Sequence, residues 1–393
     1  MVATSDVDQI LIRAVESGVV PGVVALAADD GGVIYEGAFG VREIGTDAGM
    51  SLNTVVRIAS MTKAVTSVAV MQLVEQGRLG LDEPVRAVLP ELATVQVLEG
   101  FDEAGAPRLR PPRRPITLRH LLTHTAGFAY DFTSADMLRY LKRAGIPTID
   151  TGKKACLVRP LVCDPGDRWH YGISTDWVGQ VVERLSDQSL EVYFRQHILD
   201  PLGMSDTGFV MRPEQRSRLA PRHARQCDGL LQVIPSGDPH EPEFFEGGGG
   251  LYSTGPDYLR FLRMLLGNGQ LDGVQVLRPE TVAEMGRNQI GELTAGVITT
   301  AMPEVSNDAE FFPGMVKRWG LGAMITAEEA PTGRAAGSLT WAGIANTYFW
   351  IDPTRRVTGL LLTQILPFAD AHVLELFAQF EGAIYAGHAE SRH

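Results

Sequence analysis

A serine and a lysine stand three residues apart in the segment "RIASMTKAVTSVAVMQLV", at Ser60 and Lys63. On a helix, residues at this spacing share a face, with Cβ atoms about 5–6 Å apart, so the amine can reach the serine hydroxyl. Burial in apolar surroundings lowers the pKa of an amine, and a neutral amine can accept the hydroxyl proton. The hydroxyl would also feel the positive end of the helix dipole. The spacing therefore predicts a nucleophilic serine activated by a lysine.

The same four residues also allow a purely structural interpretation. Roughly one chance Ser-x-x-Lys is expected in a chain this long, and the lysine could simply extend its amine to solvent. Two features favour chemistry instead. The segment offers almost no polar face, and only five of the 35 basic residues are lysines, at positions 63, 142, 153, 154 and 317. A lysine among apolar residues is therefore informative here.

Hydrophobic periodicity and turn residues predict the elements that must position this pair. Two strands around the turn at 29–32 and two more around Asp352-Pro353 predict a sheet built from both ends of the chain. The glycine run 247–250 is interpreted as flexible backbone, and residues 101–115 as an exposed loop. Helices are predicted over 7–17, 61–76, 174–186, 190–199, 254–267 (capped by Thr254 and Asp257) and 370–386.

This arrangement predicts a discontinuous fold. Residues 1–90 and 246–393 would form an α/β domain with an antiparallel sheet, and residues 91–245 a mainly helical insertion domain. Strands at both ends of the chain with helices between them favour such a layout.

Composition excludes several classes of function. With a formal net charge of −12, the chain lacks the basic face that nucleic acid or an anionic membrane surface requires. No apolar run is long enough to span a bilayer, and the first residues do not resemble an export signal. The three cysteines, at 156, 163 and 227, have no metal-ligand spacing. We expect reduced thiols and a cytoplasmic protein that needs no metal or cofactor.

Four motifs occur in an order that resembles a known superfamily. They are "SMTK" at 60–63, "LLTHTAGF" at 121–128, "PLGMSDTGF" at 201–209 and "GGGGLYSTGPDYLRF" at 247–261. Together they resemble the serine β-lactamase and penicillin-binding superfamily, in its class C-like branch, and are most similar to family VIII carboxylesterases. The resemblance implies an α+β fold in which an antiparallel sheet flanked by helices lies beside a helical domain. The active site would lie in the cleft between them.

The second motif of the superfamily, Tyr-x-Asn, is only half present. Tyr171 matches its tyrosine, but Ile173 stands where the asparagine is expected. The resemblance implies that Tyr171 shares its proton with Lys63 and acts as base and then acid during catalysis. The missing asparagine would have contacted substrate and lysine. The neighbouring His170 is a rival base, although packing at the cleft edge explains it better.

The third motif, Lys-Thr-Gly, cannot be present because no lysine follows Lys317. Its counterpart is Trp341-Ala342-Gly343, similar to the Trp-x-Gly of family VIII esterases. By this resemblance, Trp341 and Gly343 would contact substrate, and an aromatic ring in place of a cation suits a neutral ester. The backbone N–H groups of Ser60 and Ile344 would form the oxyanion hole. A tryptophan in the sheet core is the structural alternative.

Other patterns carry less weight. His120 and His124 lie four apart, but no glutamate of a His-Glu-x-x-His motif stands between them, and His124 is better explained as a buried histidine that bonds its loop. No Gly-x-Ser-x-Gly occurs, which argues against an α/β-hydrolase.

The expected function is a serine carboxylesterase that hydrolyses small or short-chain esters through an acyl-enzyme on Ser60. A β-lactamase or D-alanyl-D-alanine peptidase is the first alternative, and a non-catalytic relative that binds a ligand in the same cleft is the second. The expected partner is a small-molecule ester, and the oligomeric state stays open.

Overall fold

The structure, a computed structural model, describes residues 4–235 and 242–390. None of the helices in these ranges is long and apolar enough to cross a membrane. A π-helical turn at Arg195–Leu199 continues the sixth helix. The ten α-helices of the described ranges are α1 (Thr4–Glu16), α2 (Thr62–Glu75), α3 (Leu118–Leu122), α4 (Ala135–Ala144), α5 (Ser174–Ser186), α6 (Leu190–Phe194), α7 (Pro213–Arg216), α8 (Gly255–Leu266), α9 (Pro279–Met285) and α10 (Ala371–Glu390).

The strands form one large sheet and several small ones. In chain order they are β1 (Gly22–Asp29), β2 (Gly32–Gly40), β3 (Val56–Arg57), β4 (Val97–Phe101), β5 (Pro107–Arg110), β6 (His223–Arg225), β7 (Leu231–Val233), β8 (Tyr252–Ser253), β9 (Gln270–Leu271), β10 (Val274–Gln275), β11 (Lys317–Trp319), β12 (Met324–Thr326), β13 (Leu339–Gly343), β14 (Thr347–Asp352), β15 (Val357–Leu362) and β16 (Ile365–Leu366). The large sheet has the order β11-β12-β13-β14-β15-β1-β2, with every neighbouring pair antiparallel.

Helices cover both faces of the large sheet, and β14 shows why. Successive side chains of a strand point to opposite faces. The rings of Tyr348 and Trp350 pack on Phe377 of α10, whereas Phe349 between them packs on Tyr258 of α8. Because both faces are buried, all six residues of the strand are buried, and its centre, 348–351, is continuously apolar or aromatic rather than alternating. This antiparallel sheet with helices on both faces confirms the α+β fold that the resemblance implied.

The region around residues 338–366 differs from its prediction. We expected two strands, and the structure has four. A turn at residues 344–346 divides the first into β13 and β14, and the second is divided into β15 and β16, of which β16 pairs with β6 outside the large sheet. Asn346 adopts a left-handed conformation with φ of 57°, which closes this turn. Its side-chain amide donates to the carbonyl oxygens of Ile365 and Pro367. The apolar residues on both sides of the turn concealed it in the sequence.

The chain between residues 91 and 245 supplies α3 to α7 and no strand of the large sheet. The domain boundaries themselves stay a prediction. The segment 101–115, interpreted as an exposed loop, instead contains strand β5, which pairs with β4. The helix that carries Lys63, α2, packs against α5, which belongs to residues 91–245.

One ion pair fixes α10 to the loop that follows β12. The Arg334 guanidinium contacts the Glu381 carboxylate through Nε–Oε1 at 2.6 Å and Nη2–Oε2 at 2.9 Å, and both side chains are fully buried. Removing one partner of a buried pair leaves an uncompensated charge, so we expect Glu381→Ala to lower the free energy of unfolding by about 3–5 kcal/mol. Chemical denaturation followed by circular dichroism measures this change.

Asp30→Ala provides the matched control. Asp30 pairs with Arg356 at 2.5 Å, but the two side chains are 52% and 28% exposed. Exposed pairs contribute less than about 1 kcal/mol. Equal losses in the two variants would contradict the assignment of Arg334 and Glu381 as a fold-stabilising pair.

Candidate active site

Ser60 lies in a tight turn at the start of α2. A short 3₁₀ turn, Ala59–Met61, leads into the helix, and Ala59 adopts a left-handed conformation with φ of 45°. Such a conformation costs free energy for a residue with a Cβ atom, and it persists where the surrounding structure holds it. Here β3 pairs with β8 just before the turn, and the Ile58 N–H donates to the Leu251 carbonyl. The turn places Ser60 on the wall of a cleft.

The Lys63 amine is completely buried and has three hydrogen-bond partners. Its Nζ lies 3.1 Å from Ser60 Oγ, 3.0 Å from the Tyr130 hydroxyl and 2.6 Å from the Gly248 carbonyl oxygen. The predicted pair is therefore in contact. Within the described ranges, Lys63 forms no ion pair with a carboxylate.

These three partners suit an amine that takes the serine proton. A carbonyl oxygen can only accept, so one amine hydrogen must point at Gly248. In the neutral amine, the second hydrogen can point at the Tyr130 oxygen, which leaves the nitrogen lone pair for the Ser60 hydroxyl. The ammonium satisfies the same geometry by donating to all three oxygens. The site can thus hold both forms of Lys63 without moving a heavy atom.

Tyr130 makes a lysine contact that the sequence assigned to no residue. The superfamily asparagine that would contact the lysine is replaced here by Ile173, which is buried. The Tyr130 hydroxyl contacts Lys63 Nζ instead. Burial, and to a lesser extent the nearby Asp176, raises the pKa of Tyr130 well above its usual range. Tyr130 therefore stays a protonated phenol that positions the amine.

Tyr171 lies on the other side of the amine. Its ring centroid is 4.8 Å from Lys63 Nζ, but its hydroxyl oxygen accepts a hydrogen bond from Trp341 Nε1 at 3.3 Å. The structure thus brings Tyr171 next to Lys63 without a hydrogen bond between them. The indole N–H is the donor in that bond, so the bond does not involve the Tyr171 hydroxyl proton. Tyr171 can therefore donate this proton to another group.

Trp341 is buried more deeply than a residue that contacts substrate with its whole ring would be. Only 3% of its surface is exposed, and its ring packs against Tyr171, Trp319 and Phe311. The predicted substrate contact of Trp341 is therefore limited to the part of the ring that lines the cleft. Its indole N–H orients Tyr171.

His124 and His170, the two histidines near Tyr171, lie in different surroundings. His124 is buried among the rings of Trp169, Tyr171 and Trp319, and its carbonyl oxygen accepts from the His170 N–H. Burial and the nearby Lys63 charge lower the pKa of His124, so its imidazole is neutral. Burial also lowers the pKa of His170 to about 4. His170 lines neither of the two cavities beside Ser60, so this rival base is not in position.

The glycine run is packed rather than flexible, which corrects its interpretation from the sequence. A Cβ atom on Gly247 would lie 2.8 Å from the Thr175 carbonyl oxygen, and one on Gly248 would lie 2.5 Å from Asp176 Oδ2. Such distances are too short for any side chain. Glycine is required here because α5 approaches the backbone closely, and this approach presents the Gly248 carbonyl to Lys63.

Gly343 allows a second close approach, between β13 and the turn of Ser60. A Cβ atom on Gly343 would lie 2.3 Å from the Ile58 carbonyl oxygen. The next residue, Ile344, lines both cavities that Ser60 lines. The two predicted oxyanion-hole residues therefore lie at the same cleft.

Two cavities meet at Ser60 and differ in size and polarity. The larger, of about 230 Å³, is lined by Tyr130 and by charged side chains that include Arg57 and Glu246, which lie 3.6 Å apart. The smaller, of about 20 Å³, is lined mostly by apolar and aromatic residues: Phe132, Tyr171, Ile298, Trp341, Ala342, Gly343, Ile344 and Phe368. A molecule bound at Ser60 could place unlike groups in the two cavities.

The chain is similar to known proteins over nearly its whole length. The family model described as Beta-lactamase matches residues 7–383. Monacolin J acid methylbutanoyltransferase of Aspergillus terreus is 35% identical over 393 residues, covering 95% of this chain and 94% of that protein. Lovastatin esterase of Penicillium rubens is 32% identical and covers 95% of this chain and 96% of that protein. A mutant of simvastatin synthase from Aspergillus terreus superimposes with a TM-score of 0.85 at 33% identity, over 99% of this chain and 96% of that one.

Three contributors to the site were missed in the sequence: Tyr130, Gly248 and Asp176. Asp176 carried a recognisable signal, because it is an acidic residue next to the apolar face of a predicted helix, much as Lys63 is a basic one. Tyr130 lies two residues after the "LLTHTAGF" motif, but nothing in the local pattern shows that it reaches Lys63. That contact depends on the tertiary fold.

The two tyrosines should respond differently to loss of the hydroxyl. If Tyr171 hands a proton to the leaving group, Tyr171→Phe should lower kcat for an alkyl ester such as ethyl acetate, whose alcohol can leave only with a proton, by about 10²–10⁴-fold. Tyr130→Phe removes one hydrogen bond to the amine and should cost about 10-fold. Tyr385→Phe, which loses a buried hydrogen bond to Asp352 away from the cleft, is the control and should keep its kcat. A Tyr171→Phe variant of normal rate would rule Tyr171 out as the proton carrier.

Proposed function

The chain belongs to the beta-lactamase family, and from this we propose that it is a serine acyl-transfer enzyme acting on carboxylic esters. The observation that carries the proposal is the 3.1 Å contact between Lys63 Nζ and Ser60 Oγ inside a cleft. Relatives over nearly the full chain length include both a methylbutanoyltransferase and an esterase. Both names describe movement of an acyl group out of or into an ester.

Acylation begins when the Ser60 hydroxyl passes its proton to Lys63 and its oxygen bonds to the ester carbonyl carbon. The carbonyl oxygen becomes an oxyanion, which the N–H groups of Ser60 and Ile344 would hold by hydrogen bonds. Collapse of this intermediate breaks the bond to the alcohol oxygen. Tyr171 supplies the proton that the departing alcohol needs and recovers one from Lys63. The acyl group then remains on Ser60.

The second half of the reaction reverses these proton transfers. As the oxygen of water or of a second alcohol attacks the acyl carbon, its proton goes to Tyr171, which passes one to Lys63. Ser60 then leaves with that proton from Lys63. Attack by water is ester hydrolysis, and attack by an alcohol is acyl transfer. We propose that this chain is a carboxylesterase that also transfers acyl groups to alcohols. The two names of its relatives support both outcomes.

The two cavities suggest which esters fit. A volume of about 20 Å³ has room for one group of about methyl size. We propose that a short acyl chain enters this apolar cavity and that the larger cavity holds the alcohol. The absence of a lysine after Lys317 also removes the cation that would receive the carboxylate of a β-lactam in the third motif. This supports ester chemistry over lactam chemistry.

The compartment is a further proposal. Cys156, Cys163 and Cys227 are all unpaired, and Cys156 is buried. Free thiols are typical of proteins in a reducing compartment. We therefore propose that the protein works in the cytoplasm.

Labelling tests the proposed nucleophile. A fluorophosphonate probe should modify Ser60 of the full chain stoichiometrically, as mapped by peptide mass spectrometry, and Ser60→Ala should lose both labelling and ester hydrolysis. Among p-nitrophenyl esters, acetate should be turned over faster than octanoate, and added alcohols should divert the acyl group into new esters. Modification at another serine, or a fully active Ser60→Ala variant, would falsify the proposal.

Lys63→Arg tests the proton acceptor. Arginine keeps its positive charge at all pH values used with proteins, so it cannot accept the Ser60 proton. We expect a loss of activity of at least about 10³-fold. Arg78→Lys, outside the cleft, is the control for an arginine–lysine exchange. Appreciable turnover by Lys63→Arg would mean that another group accepts the proton.

A further inference from the structure

We propose that Asp176 is a positioning residue that fixes the Gly247–Gly248 backbone, and through it the direction of the Lys63 amine. This inference rests on the proposed function, because it concerns the same proton transfer from Ser60. Asp176 belongs to α5, whereas Lys63 belongs to α2 and the glycines to the segment before β8. The residue therefore links three separate parts of the chain at one point.

The link is a short series of hydrogen bonds. Asp176 Oδ1 accepts from the Gly248 N–H at 2.9 Å, and the Gly248 carbonyl oxygen accepts from Lys63 Nζ at 2.6 Å. Asp176 thus does not touch the serine or the substrate cleft. It acts on the amine through a single intervening residue.

Thr66 holds the same segment from the opposite side. Its hydroxyl donates to the Gly247 carbonyl oxygen at 2.6 Å. The Gly247 carbonyl and the Gly248 N–H belong to one peptide unit. Thr66 and Asp176 therefore fix both polar groups of that peptide plane. One turn of α2 separates Thr66 from Lys63, and the helix therefore holds the amine and one end of its acceptor segment together.

Burial of the Asp176 carboxylate costs the folded protein free energy. Its side chain is fully buried, and Oδ2 has no hydrogen-bond partner within the described ranges. A buried polar atom without a partner costs free energy, and burial raises the pKa of Asp176 above its usual value. A residue kept only for packing would not need this group. The one hydrogen bond it does make points to the amine-binding backbone.

A fixed carbonyl matters because it orients the amine. With one N–H hydrogen held on Gly248, rotation about the terminal bond of Lys63 is restricted, and the remaining positions point to Tyr130 and Ser60. If the Gly248 carbonyl moved, the lone pair would lose its direction toward the serine. Misplacement by about 1 Å can cost about 10²-fold in rate.

Four variants of the full-length protein test the inference. Asp176→Ala removes the acceptor, and we expect kcat and the fluorophosphonate labelling rate of Ser60 to fall about 10- to 100-fold, with KM within about threefold. Asp176→Asn keeps an oxygen that can accept from the Gly248 N–H, so it should restore both rates to within about threefold of the unaltered enzyme. Thr66→Val should lower both rates, since it deletes the hydroxyl at nearly constant volume. Thr66→Ser should restore them.

Matched controls separate positioning from loss of stability. Asp257→Ala removes another buried aspartate that accepts a backbone N–H, that of Asp206 at 2.7 Å. Thr358→Val removes another buried hydroxyl that donates to a carbonyl at 2.6 Å, that of Trp350. Both should lower the melting temperature and leave kcat per folded molecule unchanged.

The outcomes are distinguishable. If unaltered protein labels on Ser60 but Asp176→Ala and Thr66→Val label as fast as their controls, the positioning role is wrong and the proposed function stands. If Asp176→Asn is as slow as Asp176→Ala, the charge rather than the hydrogen bond is responsible and the inference is overturned. If the unaltered protein does not label at all, the proposed function itself fails.

Discussion

The structure depends on one buried amine with three hydrogen-bond partners, two of which come from distant parts of the chain. Lys63 Nζ is inaccessible to solvent, so water cannot replace any of its partners. Ser60 comes from the turn before its own helix, Tyr130 from the segment after α3, and Gly248 from the segment before β8. A chain that failed to assemble any one of these would leave the amine unsatisfied. The cleft between the sheet domain and the helical part exists where these three segments meet.

The surroundings of the amine determine what its charge can do. Aromatic rings and a neutral histidine, His124, form the wall behind it, and Trp341 and Tyr171 close the side toward β13. In such a low-dielectric environment hydrogen bonds are stronger and unpaired charges are more costly. Both effects favour a site in which the proton moves between fixed partners. Glycine is needed at Gly247 and Gly248 because α5 approaches this backbone closely, and the Gly248 carbonyl supplies one acceptor for the amine.

The local parts of this site could be predicted from the sequence, and the distant parts could not. Ser60 and Lys63 follow from a three-residue spacing on one helix, and the helices themselves follow from periodicity and glycine stops. Tyr130 and Gly248 reach Lys63 across separations that no local pattern encodes. The division of β13 from β14 was missed for a related reason. Strands buried on both faces read as nearly continuous apolar runs, so a turn that begins with Ile344 and Ala345 hardly breaks the pattern, and only Asn346, in its left-handed conformation, marks it.

This chain departs from the superfamily pattern at two motifs, and both departures bring an aromatic side chain to the site. Where the second motif has an asparagine, this chain has Ile173, and the lysine contact passes to the Tyr130 phenol. Where the third motif has a lysine, it has Trp341, whose N–H orients Tyr171. Each exchange replaces a strongly hydrated polar group with an aromatic one that keeps a single directed hydrogen bond. The site therefore retains control of proton positions without the lysine of the third motif. In the acyl transfer proposed for this cleft, the charge that needs stabilisation appears only when the carbonyl oxygen becomes an oxyanion.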